Sequence, residues 1–73
     1  MNIEKLQLLL EEAGVPDELY NLYEKGRDDE RFCIKKEDKD WRVYFSERGI
    51  KTIDEIFATE AEACQFVYKE LID

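Results

Sequence analysis

One six-residue run constrains the fold more than any other part of the chain. Its sequence is Trp41-Arg-Val-Tyr-Phe-Ser46, in which large apolar side chains alternate with polar or amphipathic ones. A period of two residues is typical of a β-strand with one face on a core, because successive side chains in a strand point to opposite faces. We therefore expect one face to carry Trp41, Val43 and Phe45 and the other to carry Arg42, Tyr44 and Ser46.

A second strand-like run, Arg31-Phe-Cys-Ile-Lys35, lies just before the first. It places Phe32 and Ile34 on one face and Cys33 on the other. The short polar segment Glu37–Asp40 separates the two runs, so together they predict an antiparallel hairpin.

A further reversal and a third strand are expected after this hairpin. The reversal is Ser46-Glu-Arg-Gly49, where Gly49 suits a turn with positive φ. We place the third strand within Ile50–Phe57. The spacing of Ile53, Ile56 and Phe57 would also fit a helical turn, so the sequence leaves both possibilities open there.

Both ends of the chain are predicted to be helical. Asn2 can cap a helix over residues 3–13, which Gly14 and Pro16 would end. A single further helical turn is expected over Asp17–Tyr23. Near the other end, Thr59-Glu-Ala-Glu62 matches a capping box, in which the two side chains reciprocally bond free backbone amides. It predicts a second helix over residues 60–72.

These elements predict an α+β fold in one domain covering residues 1–73, since a chain of 73 residues has room for only one. Their order is helix, short helical turn, three-stranded antiparallel meander and C-terminal helix. We expect both helices on one face of the sheet. Which face of the hairpin they cover is left open by the sequence.

Cysteine and histidine content restricts the chemistry and the compartment. The chain has two cysteines, Cys33 and Cys64, and no histidine. Two cysteines are too few for a disulfide scaffold, and without histidine a zinc site has little support. We expect two buried free thiols, although a disulfide between them stays open, and neither a metal nor another cofactor. With no leader-like or membrane-spanning apolar run, we expect a cytoplasmic protein with no membrane contact.

The charge is unevenly spread along the chain, whose net charge is −8. Residues 1–26 carry two basic and six acidic side chains, and residues 52–73 carry one basic and six acidic. Residues 27–51 are nearly balanced, with eight basic and seven acidic side chains. A negative field disfavours nucleic acid and attracts a basic protein partner, although acidity can also serve solubility alone.

The residues needed for catalysis are largely missing. There is no histidine to act as a general base near neutral pH, and the one serine, Ser46, has no such partner. Three isolated glycines form no phosphate-binding loop. Acidic pairs such as Glu11-Glu12 and Asp28-Asp29 are adjacent in sequence and suit a solvated surface better than a catalytic dyad. We therefore predict that the protein is not an enzyme.

Three groups of residues are candidates for binding another protein. The first is the acidic part of the loop before the hairpin, for which the alternative is a solvated loop. The second lies on the hairpin face opposite Trp41, for which the alternative is a face covered by the chain itself. The third is at the second reversal, where an ion pair within the chain is the alternative. Arginine and tyrosine are enriched at binding hot spots, which supports the second group. The candidate residues are Asp28, Asp29 and Glu30 in the first group, Arg42 and Tyr44 in the second, and Glu47 and Arg48 in the third.

The C-terminal two thirds resembles a family of small bacterial proteins. The segments that carry the resemblance are Arg31-Phe-Cys-Ile, Trp41-Arg-Val-Tyr-Phe-Ser-Glu-Arg-Gly49 and Phe57-Ala-Thr-Glu-Ala-Glu-Ala-Cys64. They are similar to the immunity protein 59 family of polymorphic toxin systems, over about residues 20–72. The residues that match its motif are Trp41, Tyr44, Glu47, Arg48 and Gly49. We assign Trp41 and Gly49 to the fold.

The resemblance implies a cytoplasmic antidote that binds a cognate toxin and blocks its active site. Combined with the charge, it predicts a basic toxin domain as the partner, steered by acidic helices and the 28–30 loop. The competing hypothesis is an acidic regulatory or structural interaction module. Such a module would be a monomer or a homodimer joined through the exposed hairpin face or the edge of the third strand.

Overall fold

The computed structural model describes all residues 1–73 and has two helices and a four-stranded mixed sheet. Helix α1 spans Ile3–Glu12, and a single 3₁₀ turn follows at Asp17–Leu19. The remaining elements are strands β1 (Tyr20–Asn21), β2 (Phe32–Glu37), β3 (Asp40–Glu47) and β4 (Ile50–Phe57), followed by helix α2 (Glu60–Leu71).

The strands lie in the order β1-β2-β3-β4, so each strand pairs with its neighbours in sequence. Strands β2 to β4 form the expected antiparallel meander, with Val43 opposite Ile34 on one side and Glu55 on the other. The β3–β4 pairing shifts register between Phe45 and Ser46, where Thr52 is the extra residue of a bulge. The prediction that Ile50–Phe57 contains a strand is confirmed.

The expectation of three strands, all antiparallel, was incomplete. The sequence predicts one helical turn over Asp17–Tyr23. In the structure the helical turn covers only Asp17–Leu19, and Tyr20 and Asn21 form a short strand beside β2. This pairing is parallel, with Tyr20 beside Phe32. Tyr20 is 6% exposed and belongs to the core, so burial of its ring on the sheet overrides the local helical spacing.

Helix α1 begins and ends where its sequence indicates. The side chain of Asn2 accepts a hydrogen bond from the amide of Lys5 at 2.8 Å. At the other end, Gly14 has a φ of 75°, and the amides of Gly14 and Val15 donate to the carbonyls of Glu11 and Leu10. This is a Schellman motif, which satisfies carbonyl groups that a helix end otherwise leaves free.

Helix α2 has half of the predicted capping box. The Thr59 hydroxyl accepts from the amide of Glu62 at 3.2 Å, as expected. The carboxylate of Glu62 accepts from the Thr59 hydroxyl at 3.1 Å, in place of the expected bond to the Thr59 backbone amide. In the same turn, Glu60 accepts from the amide of Ile3 at 2.8 Å, which joins the N-termini of the two helices.

One core lies between the helices and one face of the sheet. On this covered face, Ile34 and Val43 are at most 1% exposed, and they pack with residues of both helices. The helical residues buried against them are Leu6, Leu10, Ala63, Cys64 and Val67. Trp41 packs at the side of this core. Helix α2 packs on the strands, and α1 packs mainly on α2, so residues of both helices share one core with Ile34 and Val43. Neither helix is long and apolar enough to cross a membrane.

Candidate functional site

The opposite sheet face, here called the open face, has no helix packed against it. It consists of the side chains of β2, β3 and β4 that alternate with the core residues. Its centre is Arg42, whose Nε donates to Glu37 at 2.8 Å and whose Nη1 donates to Asp54. These bonds, to Glu37 first and to Asp54 next, raise the pKa of Arg42 above its ordinary value. The guanidinium is therefore held in one orientation on the surface.

Tyr44 lies beside Arg42 on the open face, one pleat along β3. Its hydroxyl donates to a carboxylate oxygen of Asp28 at 3.3 Å, and the ammonium of Lys51 stands 5.1 Å from the centre of its ring. Partial burial raises the pKa of Tyr44 well above its ordinary value, and the neighbouring Cys33 and Asp28 raise it further. Tyr44 therefore stays protonated and is a hydrogen-bond donor throughout the physiological range.

Segment 22–30 borders the open face on the β1 side. Asn21 is buried, and its side chain donates to the carbonyl of Arg27 at 2.9 Å and accepts from the amide of Lys25 at 3.3 Å. Further along, the amide of Glu30 donates to the carbonyl of Ser46 at 2.7 Å. These bonds hold the segment at both ends and place Asp28 against Tyr44.

Cys33 lies beneath this border and is 2% exposed. Its Sγ donates a weak hydrogen bond to the carbonyl of Asp28 at 3.5 Å. Burial raises the pKa of this thiol. Cys64 lies on the other side of the sheet in the core, and both cysteines are free thiols.

A shallow groove of about 800 Å³ lies where the border segment meets the β3–β4 turn. The turn residues Arg48 and Gly49 both have positive φ, 52° and 82°, which is typical of a two-residue type I′ hairpin turn. The bulge in β4 brings Lys51 onto the same side as Tyr44. The groove is lined mainly by Asp28, Asp29, Tyr44, Ser46, Arg48 and Lys51.

The structure brings together four of the seven residues predicted to bind a partner: Asp28, Asp29, Tyr44 and Arg48 line the groove. Arg42 lies next to them on the open face, in a neighbouring depression that Asp28 and Tyr44 also line. Glu30 and Glu47 lie elsewhere. Glu30 faces a separate depression with Arg27 and Arg31, and Glu47 is exposed opposite Ile50 at the hairpin end. Glu47 and Arg48 form no ion pair with each other.

The sequence did not indicate three residues that complete the open face. Glu37 and Asp54 fix Arg42, and Lys51 covers one side of the Tyr44 ring. Once β4 is assigned as a strand, the alternation of its side chains could have placed Asp54 on the open face, opposite Tyr44. Lys51 could not be placed in this way, because the bulge changes which face it occupies.

The open face presents fixed charges of both signs and one aromatic ring. It combines Lys35, Arg42 and Lys51 with Glu37 and Asp54, so both signs of charge are presented side by side. No group of three or more potential ligand side chains is close enough to hold a metal ion.

No family model, no curated protein and no solved structure matches the chain. The similarity to the immunity protein 59 family therefore stays a prediction from the residues that carry it.

Proposed function

We propose that this protein binds a cognate bacterial toxin and neutralises it by covering the toxin's active site, without any catalysis of its own. The open face is the proposed contact surface. The observation that carries this assignment is the pair Arg42 and Tyr44. Both side chains are held by neighbours from three separate parts of the chain, on a sheet face that no helix covers.

Arginine and tyrosine account for a large share of the binding energy at protein interfaces. A side chain already fixed in its bound orientation loses little conformational entropy on association. The bonds of Arg42 to Glu37 and Asp54 supply that fixation here. The arrangement therefore favours a surface prepared for a partner over one that serves solubility alone.

The charge distribution supports a basic partner that is first attracted from a distance. The two terminal segments, residues 1–26 and 52–73, hold most of the excess negative charge, while the open face itself is mixed. Such a distribution accelerates encounter with a positive molecule, and the effect falls as salt screens it. The association rate with the toxin should accordingly drop when the ionic strength is raised from low to physiological.

The test is co-expression of this chain with the C-terminal domain of a large secreted protein encoded beside it. We expect complex formation and relief of toxicity. The double variant Arg42→Ala with Tyr44→Ala should weaken the complex by about 100-fold or more, since each is of a hot-spot type. A matched double variant, Lys69→Ala with Leu8→Ala, removes one exposed cation and one large exposed side chain on the helices and should bind as the unmodified protein does.

Circular dichroism and thermal melting of both double variants show whether they remain folded. The proposal fails if the unmodified chain neither binds nor protects, or if the two double variants weaken binding equally.

A further inference from the structure

The outer edge of β4 is the longest unpaired strand edge in the molecule. β4 ends the strand order, has eight residues and contains neither proline nor glycine. The opposite edge is β1, which has two residues and adjoins the 3₁₀ turn. An unpaired edge presents a row of backbone N–H and C=O groups that can pair with another extended chain.

The second half of this edge is regular enough to accept a strand. From Ile53 to Phe57, each residue is directly opposite one residue of β3, with no bulge. The irregular part is confined to the beginning of β4, around Thr52. Within this regular segment of five residues, every second residue directs its backbone N–H and C=O away from β3, where they can pair with an added strand.

The side chains along this segment define what an added strand would meet. Ile53, Glu55 and Phe57 lie on the covered side of the sheet, and Asp54 and Ile56 lie on the open side, by alternation from their partners in β3. Ile56 is 50% exposed. Added residues beside Ile53, Ile56 and Phe57 would bury best if apolar, and those beside Asp54 and Glu55 would fit best if basic.

Charge favours a basic partner over a second copy of this chain. Glu55 is exposed and forms no ion pair, and residues 52–73 have a net charge of −5. A symmetric antiparallel pair of β4 strands centred on Asp54 or Glu55 would set two identical carboxylates opposite each other. Like charges directly opposite in a sheet are destabilising, whereas a lysine or arginine opposite Glu55 is stabilising.

We propose that the outer edge of β4 binds an extended segment of a basic partner as a fifth strand of the sheet. The bound segment would place an apolar residue beside Ile53, basic residues beside Asp54 and Glu55, and apolar residues beside Ile56 and Phe57. This edge adjoins the open face, and a basic residue beside Asp54 would share that carboxylate with Arg42. The inference does not require the partner to be a toxin.

Two blocked peptides serve as probes, one for each strand direction. Ser-Thr-Val-Ile-Lys-Lys-Val-Thr-Ser presents the pattern antiparallel to β4, and Ser-Thr-Val-Lys-Lys-Ile-Val-Thr-Ser presents it parallel. In a titration followed by NMR, one of them should bind, shift the amide signals of residues 53–57 and slow hydrogen exchange of the amides on the outer side. Replacing both lysines of that peptide by glutamate, or methylating alternate backbone nitrogens, should abolish the effect.

The matched protein variants are Glu55→Lys and Glu70→Lys, which make the same charge change on β4 and on α2. We expect Glu55→Lys to weaken binding by about five-fold or more and Glu70→Lys to have a much smaller effect. Tyr44→Ala should leave peptide binding intact, so a failure of the open-face proposal would not be mistaken for a failure here.

The inference is overturned if neither lysine peptide binds, if the glutamate peptide binds equally well, or if the shifted amides lie outside β4. It is also overturned if sedimentation shows that the unmodified chain dimerises and its outer β4 amides are protected without peptide, since the occupant would then be a second copy.

Discussion

The two faces of the sheet are formed by the same strands but are stabilised by different interactions. On the covered face, Ile34 and Val43 are almost fully buried among helical side chains, so apolar burial dominates. On the open face, Arg42 and Tyr44 are held by hydrogen bonds and ion pairs that remain partly in contact with water. Since solvated ion pairs contribute little to folding, we expect the covered face to supply most of the folding stability, which leaves the open face free for the partner binding proposed above.

The largest expected effect is loss of core volume on the covered side. Leu10 is fully buried, so Leu10→Ala should lower the free energy of unfolding by about 3 kcal/mol through lost burial and a residual cavity. Ile56→Ala, a truncation on the open side where the side chain is half exposed, should cost less than about 1 kcal/mol. Urea denaturation measures both, and equal losses would contradict the distinction between the faces.

A smaller effect concerns alkaline pH and the buried thiol of the covered side. Burial raises the pKa of Cys64 to about 11, and the nearby Glu60 contributes to the rise. The folded state therefore favours the neutral thiol. The resulting contribution to the free energy of unfolding is fully present below the unfolded-state pKa of about 9 and is lost as the pH rises through 11, by slightly less than about 3 kcal/mol in total.

Denaturation curves recorded across this range measure the loss. Cys64→Ala should make the free energy of unfolding depend less steeply on pH in this range. If the pH dependence is unchanged by this substitution, Cys64 does not cause it. Burial raises the pKa of Cys33 as well, so Cys33→Ala should also reduce the pH dependence, and the double variant should reduce it further.

The smallest effect is expected from one hydroxyl on the open face. Tyr44→Phe removes the hydrogen bond to Asp28 but keeps the ring beneath Lys51. Because water can replace the lost bond, we expect the free energy of unfolding to fall by only about 0.5 kcal/mol. Thermal melting checks this, and a loss as large as that of Leu10→Ala would mean that the open face contributes substantially to folding.

Local sequence signals predicted the helices and the meander well. The Asn2 cap, the Gly14 termination and the Thr59 cap depend on contacts within one helical turn, and all three are present. The alternation along β3 placed Val43 and Tyr44 on opposite faces for the same local reason. The candidate site was predicted in part, since Asp28 and Tyr44 meet but Glu30 and Glu47 lie apart from them.

Residue type and neighbours a few positions away were enough to predict the helix caps, the hairpin of β2 and β3 and the lack of histidine chemistry. Tertiary contacts were needed to establish that Ile50–Phe57 is a strand, that Tyr20 pairs in parallel with Phe32 and that the helices leave Arg42 uncovered. The position of Lys51 beside Tyr44 likewise depends on the bulge in the β3–β4 pairing. These features depend on how segments that are distant in sequence pack and pair with one another, and the local residue pattern does not specify that packing.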